Sequence, residues 1–133
     1  MEIHELSKKI IGCAFKVQNL LGYGFLEKVY ENALVVELRE YEGLSVKQQH
    51  PAPVFSRDRV IGEYIAELFV DNLIIVEVKS VSQLLIEHES RLVNYLKAAN
   101  IDHGLLINFG PSVEVKHKNK EYKRKNPVHR EKS

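Results

Sequence analysis

Cysteine occurs once in the 133 residues, at Cys13, so the chain can form no internal disulfide and no thiolate zinc cluster. No run of about 18 apolar residues is present, which excludes a membrane-spanning helix. The polar start MEIHELSKK lacks the apolar centre of a signal peptide, and the expected compartment is the cytoplasm. His4, His50, His88, His103, His117 and His129 are scattered without HExxH or another compact ligand spacing, which argues against a zinc site. No Ser/His/Asp or Cys/His motif marks a nucleophilic hydrolase. The segment GYGFLE, residues 22–27, lacks both the spacing of a phosphate-binding glycine loop and a preceding strand, so its glycines read as a helix stop.

What is present fits one soluble globular domain. Apolar residues make up 44% and charged residues 28% of a chain long enough for one core and too short for two ordinary domains. The net charge of +1 hides a split: residues 1–113 carry 11 Lys/Arg against 15 Asp/Glu, and residues 114–133 carry 8 against 3. The expected organisation is a single domain over 1–113 followed by a basic tail over 114–133. Such a tail suits phosphate contacts or is a solvated terminus.

Hydrophobic spacing sets the elements. Ile3, Leu6, Ile10, Cys13, Ala14, Val17 and Leu20/Leu21 recur at helical intervals, and Cys13 on that stripe reads as a small buried hydrophobe. A second helix is expected from about Leu26 to Tyr41, with Leu26, Val29, Tyr30, Ala33, Leu34 and Leu38 as its apolar face and Gly43 at its end. From Leu44 the period falls towards two, giving three strands in LSVKQQHPAPVF, VIGEYIAELFV and LIIVEVKS. Pro51 and Pro53 remove ladder donors and place the first strand at an edge or a bend. A third helix over about Ser82 to Asn100 precedes HGLLINFG, whose near-continuous apolarity implies a strand buried on both faces; a short strand near VEVKH follows. The fold class is α/β (α+β), a mixed sheet flanked by helices.

The chemistry is concentrated in LIIVEVKS. Alternation puts Glu77 and Lys79 on one face of an otherwise apolar strand, where a salt bridge or a wet edge is the ordinary explanation. The preceding strand carries a second carboxylate, Glu67, and the turn decides whether the two meet. With Asp71 and Asn72 alone in the loop, Glu67 faces Val76; with Leu73 added, or with a bulge, Glu67 lies opposite Glu77. Two carboxylates about 5 Å apart repel unless a cation lies between them, and oxygen donors of this kind suit Mg²⁺ or Mn²⁺. Such an ion polarises a phosphoryl oxygen and activates a bound water, while Lys79 orients that water or offsets charge. Glu27, sharing a helix face with Tyr30, Glu31 and Leu34, offers a third carboxylate.

Three segments together resemble a known family. GFLEKVY fits the G-x-x-E-x-x-Y pattern of the GxxExxY proteins through Gly24, Glu27 and Tyr30. GEYIAELFVDNLIIVEVKS is similar to their hairpin, and HESRLVNYLKAANIDHGLLINFG to their closing helix and strand. The resemblance implies a PD-(D/E)XK nuclease: a restriction-endonuclease-like core of helix, three strands, helix and strand, here with an extra N-terminal helix. It implies Glu67, Glu77 and Glu27 as metal ligands for Mg²⁺ or Mn²⁺, Lys79 as the catalytic partner, and Arg91, Tyr95 and Tyr30 as substrate contacts. The implied activity is endo- or exonucleolytic hydrolysis of nucleic acid, DNA foremost, with no membrane partner; a homodimer would pair two sites for cutting both strands. Two positions depart from the pattern. Glu67 replaces an aspartate and Arg91 a glutamine, and Arg91 either clamps a phosphate or takes the ion's place beside Glu67 or Glu77. The second outcome would leave an inactive module for binding nucleic acid or protein.

Overall fold

The computed structural model describes residues 1–121. Helix α1 (Ile3–Leu21) is followed by α2 (Glu27–Val36), which runs on into a π-helical segment, Glu37–Tyr41. Strands β1 (Val46–Ser56), β2 (Arg59–Val70) and β3 (Ile74–Lys79) come next, then α3 (Ile86–Ala99), β4 (His103–Phe109) and β5 (Val113–Asn119). The five strands lie in sequence order in one sheet; β3 and β4 are parallel, joined by α3, and the other neighbours are antiparallel. This is the expected mixed sheet flanked by helices, with the extra N-terminal helix in place.

The two sheet faces carry separate cores. Leu6, Ile10, Cys13, Ala14 and Val17 of α1 and Tyr30, Leu34 and Val35 of α2 pack on Leu68, Val76, Val78, Leu105 and Ile107. On the other face Leu92 and Leu96 of α3 meet Ala66, Ile75 and Leu106. Helix α1 starts where the Glu2 carboxylate accepts from the Glu5 N–H at 3.0 Å and ends at Gly22, whose φ of 76° suits glycine. The apolar face of α2 is rotated from the expected one: Leu26 is 79% exposed, while Glu31 and Val35 are buried.

Strand β1 lies at the sheet edge with its two prolines, and β4, enclosed between β3 and β5, is buried from Gly104 to Phe109. Helix α3 begins at Ile86, later than its apolar spacing suggests. Asn108 ties down the bend that precedes the helix: its Oδ1 accepts from the Val81 N–H at 2.9 Å and its Nδ2 donates to the Val81 carbonyl at 2.9 Å. His88 Nδ1 then accepts from the Leu85 N–H at 3.0 Å, capping α3. The sheet continues past residue 113, because β5 pairs with β4 from Val113 to Asn119. Valines alternate with charges there, and Lys118 is drawn onto α3 by its ion pair with Glu89. Residues 122–133, the rest of the expected basic tail, lie outside the described residues. Among those described, no helix is long and apolar enough to cross a membrane.

Candidate active site

The β2–β3 link is the longer of the two expected. Val70 pairs with Ile74, leaving Asp71, Asn72 and Leu73 in the turn. Asp71 and Asn72 take left-handed conformations with φ of 52° and 55°, which these short polar side chains tolerate. Asp71 is fixed by its Oδ1, which accepts from the Ser45 N–H at 2.9 Å. Continued down the strands, this register sets Glu67 opposite Glu77.

Regular pairing stops just before the two glutamates. The β2–β3 ladder ends at Leu68↔Val76, and β1–β2 pairing runs from Gln48↔Leu68 to His50↔Ala66 without a Gln49–Glu67 step. Leu68 belongs to the α1 core, whereas Ala66, which strict alternation would put beside it, belongs to the α3 core. Strand β2 therefore turns over at Glu67, and Gln49 opposite has a φ of 56°. Side chains replace the missing ladder bonds. Glu77 Oε2 accepts from the Glu67 N–H at 3.0 Å, and Glu67 Oε1 accepts from the Val78 N–H.

Burial makes this arrangement electrostatically tense. Glu77 is 7% exposed; its Oε2 also accepts from the Tyr64 hydroxyl at 2.8 Å, and that ring stacks on Tyr95 of α3. Burial, followed by the Glu77 charge, pushes the Glu67 carboxyl up to about 8, against the opposing Val78 N–H. Glu27, the first residue of α2, adds its charge and a hydrogen bond to Glu67. Glu77 is also raised by burial, against the Glu67 N–H, the Tyr64 hydroxyl and the Lys79 charge. Burial and Glu77 hold the Tyr64 phenol protonated.

Glu27, Glu67 and Glu77 thus come together, with Lys79 at the end of β3 close enough to favour ionised Glu77. Neither Lys79 nor Arg91 forms an ion pair with these carboxylates among the described residues. Arg91 is exposed on α3 near Tyr95, where its charge opposes the upward shift of that phenol. Tyr30 faces the core, away from the surface where the sequence placed a substrate contact. It is fully buried, stacked on Phe109 at 4.7 Å, and its hydroxyl donates to the Gly22 carbonyl and accepts from the Phe25 N–H at 3.3 Å. The glycine and tyrosine of the G-x-x-E-x-x-Y segment flank and pin the loop that delivers Glu27.

Sequence reasoning passed over Glu31 as a structural group. It is 2% exposed, and its Oε2 accepts from Lys28 Nζ at 3.1 Å, Gln48 Nε2 at 2.7 Å and Gln49 Nε2 at 2.9 Å. The three-residue spacing of Lys28 and Glu31 was the available signal, but the donors on β1 lie far away in sequence.

Among the described residues, no three His, Cys, Asp or Glu side chains are arranged as a ready metal cage. The glutamates form a hydrogen-bonded acid cluster whose all-oxygen donors nevertheless match a hard divalent ion. Mg²⁺ typically takes one or two carboxylates and fills the rest of its shell with water and substrate phosphate. The repulsion that raises Glu67 is the kind a cation relieves.

An α/β sheet with paired carboxylates and a lysine at diverging strands defines a nuclease-like class. A family model of the PD-(D/E)XK nuclease superfamily matches residues 4–124, and the chain belongs to that superfamily. Nucleases of this superfamily generally use divalent metals and act on nucleic acid. The solved structure described as "Crystal structure of SSO0001" is similar to this chain with a TM-score of 0.59 at 17% sequence identity, a likeness of fold. The match covers 73% of this chain and 52% of that one, so the chain spans about half the length of that protein. No curated protein matches the chain.

Proposed function

We propose that the chain is a divalent-metal-dependent nuclease of the GxxExxY type, hydrolysing DNA phosphodiesters in the cytoplasm. The observation that carries this reading is the reciprocal bonding of Glu67 and Glu77 where β2 and β3 lose their ladder. Glu67 and Glu77 would hold Mg²⁺ or Mn²⁺, with Glu27 as a further ligand, and the ion would supply Lewis-acid polarisation of the phosphate and a more acidic bound water.

The chain's own groups do the rest. Tyr64 keeps Glu77 oriented through its hydroxyl, and Tyr95 fixes Tyr64 by stacking. Lys79 positions the attacking water and offsets charge developing on the phosphoryl oxygens. Arg91 takes a phosphate away from the reacting bond, a role open to it because it does not pair with Glu67 or Glu77. A homodimer would bring two such sites to one nucleic-acid substrate.

The test is cleavage of nucleic acid by the full chain with Mg²⁺ or Mn²⁺, alongside Lys79→Ala. Wild type is expected to cleave and the variant to fail at unchanged melting temperature. A folded wild type that binds no divalent ion and cleaves no nucleic acid refutes the reading. A second reading, a non-catalytic binding module, is favoured by one observation, the absence of a preformed three-ligand cage among the described residues. It expects nucleic-acid or protein binding that needs no divalent ion and survives Glu77→Gln.

A further inference from the structure

The rim beside the candidate site is apolar where a duplex-binding surface would be basic. Tyr23, Phe25 and Leu26 precede Glu27, and Leu85 and Ile86 follow Lys79 and open α3; all five lie between 46% and 79% exposed. The two segments meet where Ser80 Oγ donates to the Phe25 carbonyl at 2.8 Å. Neither 19–26 nor 80–86 contains a lysine or arginine. Over residues 1–121 the chain carries 14 Lys/Arg against 17 Asp/Glu. Double-stranded DNA presents one negative charge per about 1.7 Å of axis, and such a rim offers it little.

Phe25 is held in place. Both main-chain groups of Phe25 are fixed, its N–H by the buried Tyr30 hydroxyl and its carbonyl by Ser80. Gly22 and Gly24 let the loop turn, at φ of 76° and 113°, conformations that favour glycine. Phe25 also meets the Tyr30 ring edge-on at 6.1 Å. Pinned in this way, Phe25 presents its ring with little ordering left to do on binding.

We infer that this rim is a stacking platform for unpaired nucleotide bases, so that the site receives single-stranded or splayed nucleic acid. The inference rests on the nuclease reading and adds the form in which the substrate arrives. Base stacking on aromatic side chains is tolerant of sequence and works beside cationic groups that track the backbone, here Lys79 next to the rim and Arg91 on α3. Tyr23 and Phe25 provide the π faces, and Leu26, Leu85 and Ile86 the apolar border.

The test measures binding of a labelled oligothymidylate and of a duplex with equal phosphate count to the full chain, with chelator present so that nothing is cut. The single strand is expected to bind about tenfold or more tightly than the duplex, and Tyr23→Ser with Phe25→Ser to lose about tenfold for the single strand only. Should that pair disturb the fold, Tyr23→Ser with Leu26→Ser keeps the test open. Equal or tighter duplex binding, variants that bind like wild type, or a rim that captures only a second protein copy overturns the inference. Divalent-dependent duplex cleavage without the preference overturns it and spares the nuclease reading. Single-strand preference with no cleavage under any divalent ion does the reverse.

Discussion

Two regions bury glutamate, and they treat it in opposite ways. Glu31 meets one ammonium and two carboxamides at a single oxygen. Glu77, nearly as buried, has a hydroxyl and one main-chain N–H and shares its surroundings with two further carboxylates. Donors outnumber charges in the first region, and charges crowd the donors in the second. Burial alone therefore does not distinguish the two carboxylates; the ratio of donors to charges does, and it is the crowded one that fits the proposed metal site. The regions are also connected, because Glu31 holds Gln49, the left-handed residue facing the turn-over at Glu67.

The contrast can be broken at several points. The largest effect is expected for Lys79→Ala, which should lower divalent-dependent cleavage on the order of 10²–10³-fold with little change in melting temperature. Normal turnover in that variant would remove the second region's functional status. Next, Glu31→Ala leaves three donors facing a void and should cost about 3 kcal/mol by denaturant titration. Glu31→Gln, which keeps the shape, should cost less. A loss in Glu31→Ala no greater than that in Glu77→Gln would erase the distinction.

Proton linkage gives a third, smaller effect. Glu67 titrates near 8 in the fold, above an unfolded value of 4.5, so the folded state binds the extra proton between them. Metal-free stability should be highest below about 4.5 on this account and decline as pH rises through 8. Glu67→Gln should flatten that slope in thermal melts recorded across the range. Smallest of all, metal-free Glu77→Gln at pH 8 should be neutral or stabilising by about 1 kcal/mol, since it removes one of the crowded charges. The same variant should lose the rise in melting temperature that Mg²⁺ or Mn²⁺ gives wild type. A clear destabilisation in metal-free Glu77→Gln would mean that Glu77 is held as Glu31 is.

Much of the fold was legible because local patterns govern it. The alternation of β3, the unbroken apolarity of β4 and the stripe of α1 each follow from burial on known faces. The face of α2 was misread, since Leu26 and Val29 fit a helical stripe as well as Val35 does, and only the position of the sheet decides between them. The short strand near VEVKH was legible from its alternation, but its run to Asn119 was not, because its lysines resemble solvated charge until Glu89 is brought alongside by α3. At the candidate site, the residues Glu27, Glu67, Glu77 and Lys79 could be picked out by type and spacing. Their register could not, because Asp71 and Asn72 fit either turn length. Nor could the turn-over at Glu67, which depends on Gln49 and Glu31, remote in sequence. Tyr30 was taken for a substrate contact because its motif is local, whereas its burial comes from Phe109, at the far end of the domain's sequence.

The turn-over at Glu67 also separates inheritance from invention. Beyond it the β1–β2 hairpin projects past the end of its pairing with β3, closing at Arg57 and Asp58. Residues added or removed at that tip, in matched pairs, would change the reach of the hairpin without moving either glutamate. The length of the arm is thus a variable that evolution or an engineer can tune independently, as one lengthens a handle without regrinding the blade.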